Sequence, residues 1–109
     1  MLKNYINDQV VEVNVEVKNW EEAVRLGGKL LEEDGAVEHS YIDAMVDTVK
    51  NMGPYIVIAP GIAMPHARPE AGAKNIRIGL LKLKNPVNFG NEEHDPVAVS
   101  YTHLTLPTN

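Results

Sequence analysis

Valine recurs at every second position through Val11, Val13, Val15 and Val17, with Glu12, Asn14 and Glu16 between them. A period of two places all four valines on one face of an extended chain, so this segment reads as a half-buried antiparallel or edge strand. The period then lengthens. Trp20, Ala23, Val24, Gly27, Leu30 and Leu31 fall at i, i+3, i+4, i+7 spacing, which predicts a helix with one apolar face. Asn19 stands where its side chain can cap the first turn, and Glu21 and Glu22 follow where the helix dipole favours acids. Asp34-Gly35 supplies the stop. The Gly27-Gly28 pair weakens the helix centre and reads as close packing against a neighbour.

A second helix is predicted over residues 38–51, with Tyr41, Ala44, Met45, Thr48, Val49 and Met52 on one face and Gly53-Pro54 ending it. Tyr55, Ile56, Val57, Ile58 and Ala59 form an unbroken run of β-formers, which suits a strand covered on both faces at the centre of a sheet. Pro60-Gly61 interrupts the run, Ile62-Ala63-Met64 resumes it, and residues 65–72 read as a loop because they hold two prolines and a glycine. Further on, Ile76, Ile78 and Leu80 alternate with Arg77 and Gly79. The phase then slips to Leu81 and Leu83, which predicts a strand with a bulge or twist near Leu80. Asn85-Pro86 closes that strand, and residues 88–96 read as polar loop. The order strand, two helices, strands gives an α/β class: a single-domain α/β sandwich with a mixed β-sheet flanked by helices.

Charge narrows the partners. With 10 Lys+Arg against 15 Asp+Glu the formal charge is −5, so nucleic acid and anionic membranes are repelled at long range, and proteins or small molecules are expected instead. The absence of cysteine excludes a disulfide framework, a thiol nucleophile and a thiolate metal site. Residues 55–59 are the longest apolar run, far short of the ~20 needed to span a bilayer, and no apolar segment follows Met1-Leu2-Lys3-Asn4-Tyr5 as a signal peptide requires. A cytoplasmic domain without direct membrane insertion is the expectation.

The C-terminal end differs in composition. From Pro96 to Asn109 there is no Asp, Glu, Lys or Arg, and Thr102, Thr105 and Thr108 all fall within it. Residues 100–109 look like a translated adapter, so the domain is drawn over residues 1–97, with 98–109 set aside as a non-native tail.

One segment carries candidate chemistry. His66 lies between Pro65 and Ala67, in a loop that includes Gly61 and is held by Pro60, Pro65 and Pro69. Fixed φ angles reduce the freedom lost in holding an imidazole in one pose, and imidazole is an effective nucleophile near neutral pH. Arg68 offers a planar cationic fork to a phosphate or carboxylate. A structural histidine in a rigid turn, with Arg68 merely solvated, is the competing reading. His39 and His94 read as solvated; Glu92, Glu93, His94 and Asp95 make a weak cation candidate; Trp20, Met45, Met52 and Met64 read as packing. No metal site and no cofactor are assigned.

The run from Gly53 to Gly72, GPYIVIAPGIAMPHARPEAG, strongly resembles the active-site segment of phosphotransferase-system IIA domains of the mannitol/fructose superfamily, with the ascorbate-type subgroup most alike. Trp20-Glu21-Glu22-Ala23, Tyr41-Ile42-Asp43-Ala44-Met45, Asn85-Pro86-Val87 and His94-Asp95-Pro96-Val97 match in the same order. The resemblance implies a phosphoryl relay. His66, through Nε2, takes phosphate from the phosphohistidine of the carrier protein HPr and passes it to a cysteine of a IIB (EIIB) partner, which serves a membrane IIC (EIIC) subunit that admits the sugar. For that, Nδ1 has to keep its proton and donate it to a carbonyl. Two departures stand out: Thr48 falls where mannitol-type members carry an arginine, and the family continues past the Asp-Pro-Val strand to a second histidine, which His103 does not match. The chain therefore looks truncated and as written is expected to be marginal, aggregation-prone or inactive, whereas a version extended with the native C-terminus is expected to be phosphorylated. A regulatory module of nitrogen type, whose histidine phosphorylation controls a partner protein, is the alternative, and a non-catalytic fragment is a third reading.

Overall fold

A computed structural model describes residues 9–75 and 77–104. In chain order its elements are β1 (Gln9–Val15), α1 (Trp20–Glu33), α2 (His39–Met52), β2 (Val57–Ala59), β3 (Ile62–Ala63), β4 (Arg77–Val87) and β5 (Val97–Leu104), with 3-10 turns at Gly53–Ile56 and Pro69–Ala71. The strands form one sheet in the order β1-β4-β5-β3-β2. β1 and β4 are parallel, as are β3 and β5, while β4–β5 and β2–β3 are antiparallel, so the sheet is mixed as expected.

The first helix starts and stops where local chemistry requires. Asn19 Oδ1 accepts the Glu22 N–H at 2.9 Å, and Asp34 closes α1 with its N–H on the Leu30 carbonyl. The two helices meet at Gly28, where a Cβ would lie 2.8 Å from Ile42 Cγ1 and 3.0 Å from Met45 Cε. That bears out close packing for Gly28. Gly27, in contrast, faces open space.

The helices lie together on one face of the sheet. Leu31 sits over Gly79, whose missing side chain makes the room, and Ala23, Val24, Tyr41, Met45, Val46 and Val49 bury against Leu81, Leu83, Ala63 and Val97. Trp20 packs against Phe89 with ring centroids 6.2 Å apart, as its packing role predicts. The opposite face carries Val11 beside Leu80 and Tyr101, and Ile62 beside Val99. Among the described residues no helix covers that face.

Four expectations are corrected. The valine alternation does not run through β1: Asn14 adopts φ 56 and the register with β4 shifts between Glu12 and Val15, so Val15 and Val17 pack on the core while Val11 and Val13 are exposed. The run from Tyr55 to Ala59 is not a central strand. The chain turns through Gly53–Ile56, Tyr55 is 80% exposed, and only Val57–Ala59 pair, at the sheet's edge. No bulge falls at Leu80, because Arg77 to Lys82 pair in register with β5; Gly79 is itself a core-side position, and the shift lies between Lys82 and Val87. β4 also runs through Asn85-Pro86 instead of closing there.

The fold extends past residue 97. Residues 98–104 lie within β5, between β4 and β3, with Ser100, Thr102 and Leu104 facing the core and buried. Alternation of Ser100, Thr102 and Leu104 inward, after the buried Val97, provides the apolar and hydroxyl face that the sheet needs there. Residues 1–8, the predicted strand position Ile76, and residues 105–109 with Thr105 and Thr108 lie outside the described residues.

Candidate functional site

The loop that carries His66 is pinned from three sides before any side-chain chemistry is considered. β2 and β3 turn back on each other at Pro60-Gly61, where Gly61 takes φ 77, a conformation that disfavours other residues. Its N–H donates to the His94 carbonyl at 2.9 Å, and its carbonyl accepts the N–H groups of Ala98 and Val99. Pro60 is exposed on this turn. After β3, the Met64 N–H donates to the Ile56 carbonyl at 2.8 Å, Pro65 is buried, and the Thr102 hydroxyl donates to the Pro65 carbonyl at 3.0 Å.

His66 follows, half-buried, with Nδ1 2.9 Å from the Met64 carbonyl oxygen. A carbonyl can only accept, so this hydrogen bond requires the proton on Nδ1, and in the neutral ring the lone pair is then on Nε2. The backbone two residues earlier thus selects the tautomer. Arg68, two residues beyond, is exposed, and among the described residues it makes no ion pair. Pro69 opens the 3-10 turn that follows, and its carbonyl accepts the N–H groups of Gly72 and Ala73.

The first turn of α2 holds the far side of the loop. Glu38 N–H donates to the Gly72 carbonyl at 2.8 Å, Ser40 Oγ donates to the Ala71 carbonyl at 2.6 Å, and the Tyr41 hydroxyl meets both the N–H and the carbonyl of Ala67 at 3.2 Å. Gly72 has to lack a side chain here, since a Cβ would lie 2.9 Å from Ser40 Oγ. Tyr41 is 2% exposed, and burial raises its pKa, only partly offset by the bond to Ala67.

His66, Arg68, Pro60, Gly61, Pro65 and Pro69, the residues singled out from sequence, therefore lie on one continuous, tethered segment. In the sequence Tyr41 reads only as part of an apolar helix face. Its hydroxyl was the available signal, because a buried phenol has to find a partner. Thr48 turns its hydroxyl back on the Ala44 carbonyl at 2.8 Å.

Other histidines play different parts. His39 is exposed beside Glu32 and Asp43, whereas His94 is not simply solvated: its Nδ1 is buried without a hydrogen-bond partner among the described residues. The acidic stretch 92–95 does not converge on a cation position. Asp95 instead accepts the N–H groups of Phe89, Gly90 and Asn91 at 3.0, 2.8 and 2.9 Å, which fixes the loop supporting Gly61. Met45 is buried in the core, Met64 is half-buried, and Met52 is 37% exposed. No helix among the described residues is long and apolar enough to cross a membrane.

Comparison with known proteins places the chain in a family. The chain is 42% identical over 99 residues to the ascorbate-specific PTS system EIIA component of Salmonella choleraesuis (strain SC-B67), a match covering 91% of this chain and 64% of that relative. The solution structure of the mannitol-specific cryptic phosphotransferase enzyme IIA of Escherichia coli superposes with a TM-score of 0.78 at 33% identity, covering 97% of this chain and 71% of that one. Enzyme IIA for mannitol of Escherichia coli, in its complex with phosphorylated enzyme IIB, gives a TM-score of 0.78 at 26% identity over 88% of this chain and 67% of that one. Residues 4–105 match the profile described as phosphoenolpyruvate-dependent sugar phosphotransferase system, EIIA 2, and the chain belongs to that family.

Proposed function

We propose that this chain relays a phosphoryl group through His66 as the EIIA component of a sugar phosphotransferase system. The observation that carries the reading is the 2.9 Å contact between His66 Nδ1 and the Met64 carbonyl, which leaves Nε2 as the nucleophile. In the first half-reaction the Nε2 lone pair attacks the phosphorus of the phosphohistidine on HPr. The P–N bond to the donor breaks, and the donor imidazole departs with the bonding pair. In the second, a cysteine thiolate of EIIB attacks the same phosphorus, the P–Nε2 bond breaks, and its pair returns to Nε2.

Such a transfer asks a protein mainly for positioning and for charge to meet the phosphoryl oxygens. The tethered loop supplies the first, and the unpaired guanidinium of Arg68 is assigned the second. EIIB as acceptor is supported by the Escherichia coli IIA–IIB complex, and an ascorbate-like sugar, admitted through a membrane EIIC, by the name of the 42% identical relative. The chain spans 64% of that relative's length, so activity, sugar and partners are part of this proposal.

The test is incubation with phosphoenolpyruvate, enzyme I and HPr, read by intact-protein mass spectrometry. Carried to the full length of its relatives, the wild-type chain is expected to gain one phosphoryl group and His66→Ala none; equal labelling of both moves the site elsewhere and overturns the reading.

A further inference from the structure

Ala67 separates the two residues on which the relay depends. Its N–H belongs to the peptide joining it to His66, and its carbonyl to the peptide joining it to Arg68. The Tyr41 hydroxyl reaches both, accepting from the N–H at 3.2 Å and donating to the carbonyl at 3.2 Å. A single oxygen anchored on a helix thus constrains the peptide planes on either side of Ala67. We propose that Tyr41 is a positioning residue for the phosphoryl transfer, fixing the His66 imidazole relative to the Arg68 guanidinium through the backbone of Ala67; this rests on the relay reading above.

Three observations support it. Tyr41 is 2% exposed and belongs to the core cluster with Met45, Val46 and Val49, so its hydroxyl is held by a packed ring on a rigid helix. Burial raises its pKa, which keeps the hydroxyl protonated, and only the protonated form can donate to the carbonyl while accepting from the N–H. The neighbouring anchors, Ser40 on Ala71 and Glu38 on Gly72, hold the loop only after Arg68. The Met64 carbonyl holds the His66 ring but not the backbone that follows it, and Thr102 acts at Pro65. Among the bonds described, those of Tyr41 alone grip the link between His66 and Arg68. The consequence is geometric: without that grip the link can rotate about the Ala67 dihedrals, and the placement of the imidazole relative to the guanidinium is no longer fixed.

The experiment uses the whole chain and phosphorylated HPr in single-turnover rapid quench. Tyr41→Phe keeps the ring and removes both bonds, and its uptake rate is expected to fall roughly tenfold to a hundredfold, the scale of a misplaced reacting group. Asn19→Ala, which removes a remote helix cap, serves as the stability control and is expected to leave the rate within about twofold of wild type. Arg68→Ala separates positioning from mere stability. If Tyr41 works by aligning Arg68 with His66, the Tyr41→Phe/Arg68→Ala double variant loses little beyond Arg68→Ala alone, whereas independent roles multiply the losses and overturn the proposal. Wild type labelled on His66 with an unchanged Tyr41→Phe rate overturns the positioning role and leaves the relay intact. No label on wild-type His66 overturns both. Should Tyr41→Phe fail to fold, hydrogen exchange in wild type decides: the Ala67 amide is expected to be protected, and exchange at the rate of an open peptide overturns the proposal.

Discussion

Adjacent glycines in α1 face different surroundings, and alanine at each should move stability in opposite directions. At Gly27 an added Cβ meets nothing within 4 Å. Only helix propensity changes there, which favours alanine by about 0.8–1 kcal/mol. At Gly28 the same methyl lands 2.8 Å from Ile42 Cγ1, 3.0 Å from Met45 Cε and 3.2 Å from Ile42 Cγ2. Met45 Cε is the end of a flexible chain and can move; Ile42 is β-branched, stiff and 3% exposed, so it cannot move without displacing α2. Overpacking of this kind costs about 1–3 kcal/mol, which outweighs the same propensity gain and leaves Gly28→Ala destabilised by up to about 2 kcal/mol. Urea unfolding at constant m-value measures both variants. Gly27→Ala is expected to raise the midpoint and Gly28→Ala to lower it. A rise of equal size in both would refute the close approach of α1 and α2, and with it the packing that seats the first turn of α2 against the His66 loop.

Other consequences follow from the same contacts. Asp95→Ala strands the N–H groups of Phe89, Gly90 and Asn91 and should cost about 1–3 kcal/mol in urea unfolding. Because burial raises the folded-state pKa of Tyr41 above its ordinary value of 10.0, the folded chain holds this proton more tightly than the unfolded one. Its contribution is therefore complete below about pH 10 and is lost as pH rises through the folded-state pKa, so the wild-type stability advantage over Tyr41→Phe should shrink in alkaline urea titrations. Arg68→Ala should slow phosphoryl uptake from HPr roughly tenfold to a hundredfold, with partial recovery in Arg68→Lys, because a point charge restores some electrostatics without the fork. Equal rates in wild type and Arg68→Ala would remove the guanidinium from the reaction.

The helices were legible because their signals are local. Asn19 caps within three residues, Asp34-Gly35 closes within two, and the apolar spacing needs only the chain itself. Strand placement failed where distant contacts decide. Nothing near Asn14 announces a left-handed residue, although asparagine tolerates one, and that single residue reverses which valines face inward. Gly79 interrupts the apolar pattern in the sequence, yet it is a core position whose emptiness Leu31 fills, so the apparent slip at Leu80 reflects a glycine whose partner is distant. Tyr55 and Ile56 have strand propensity, but they continue from the end of α2 through a 3-10 turn. The sheet rank of Val57–Ala59 depends on β5, about 40 residues later. At the site, prolines flanking His66 made it conspicuous, and the required Nδ1 bond followed from the chemistry of the imidazole. Tyr41 stayed hidden because its partner Ala67 is 26 residues away.

The most direct test of the central claim is ring-nitrogen NMR of His66 in 15N-histidine protein, before and after phosphorylation by HPr. The account predicts a proton on Nδ1 in the neutral free ring and phosphorus bonded to Nε2 in the product, with the Nδ1 proton retained. A neutral ring protonated on Nε2, or phosphate attached to Nδ1, would contradict it.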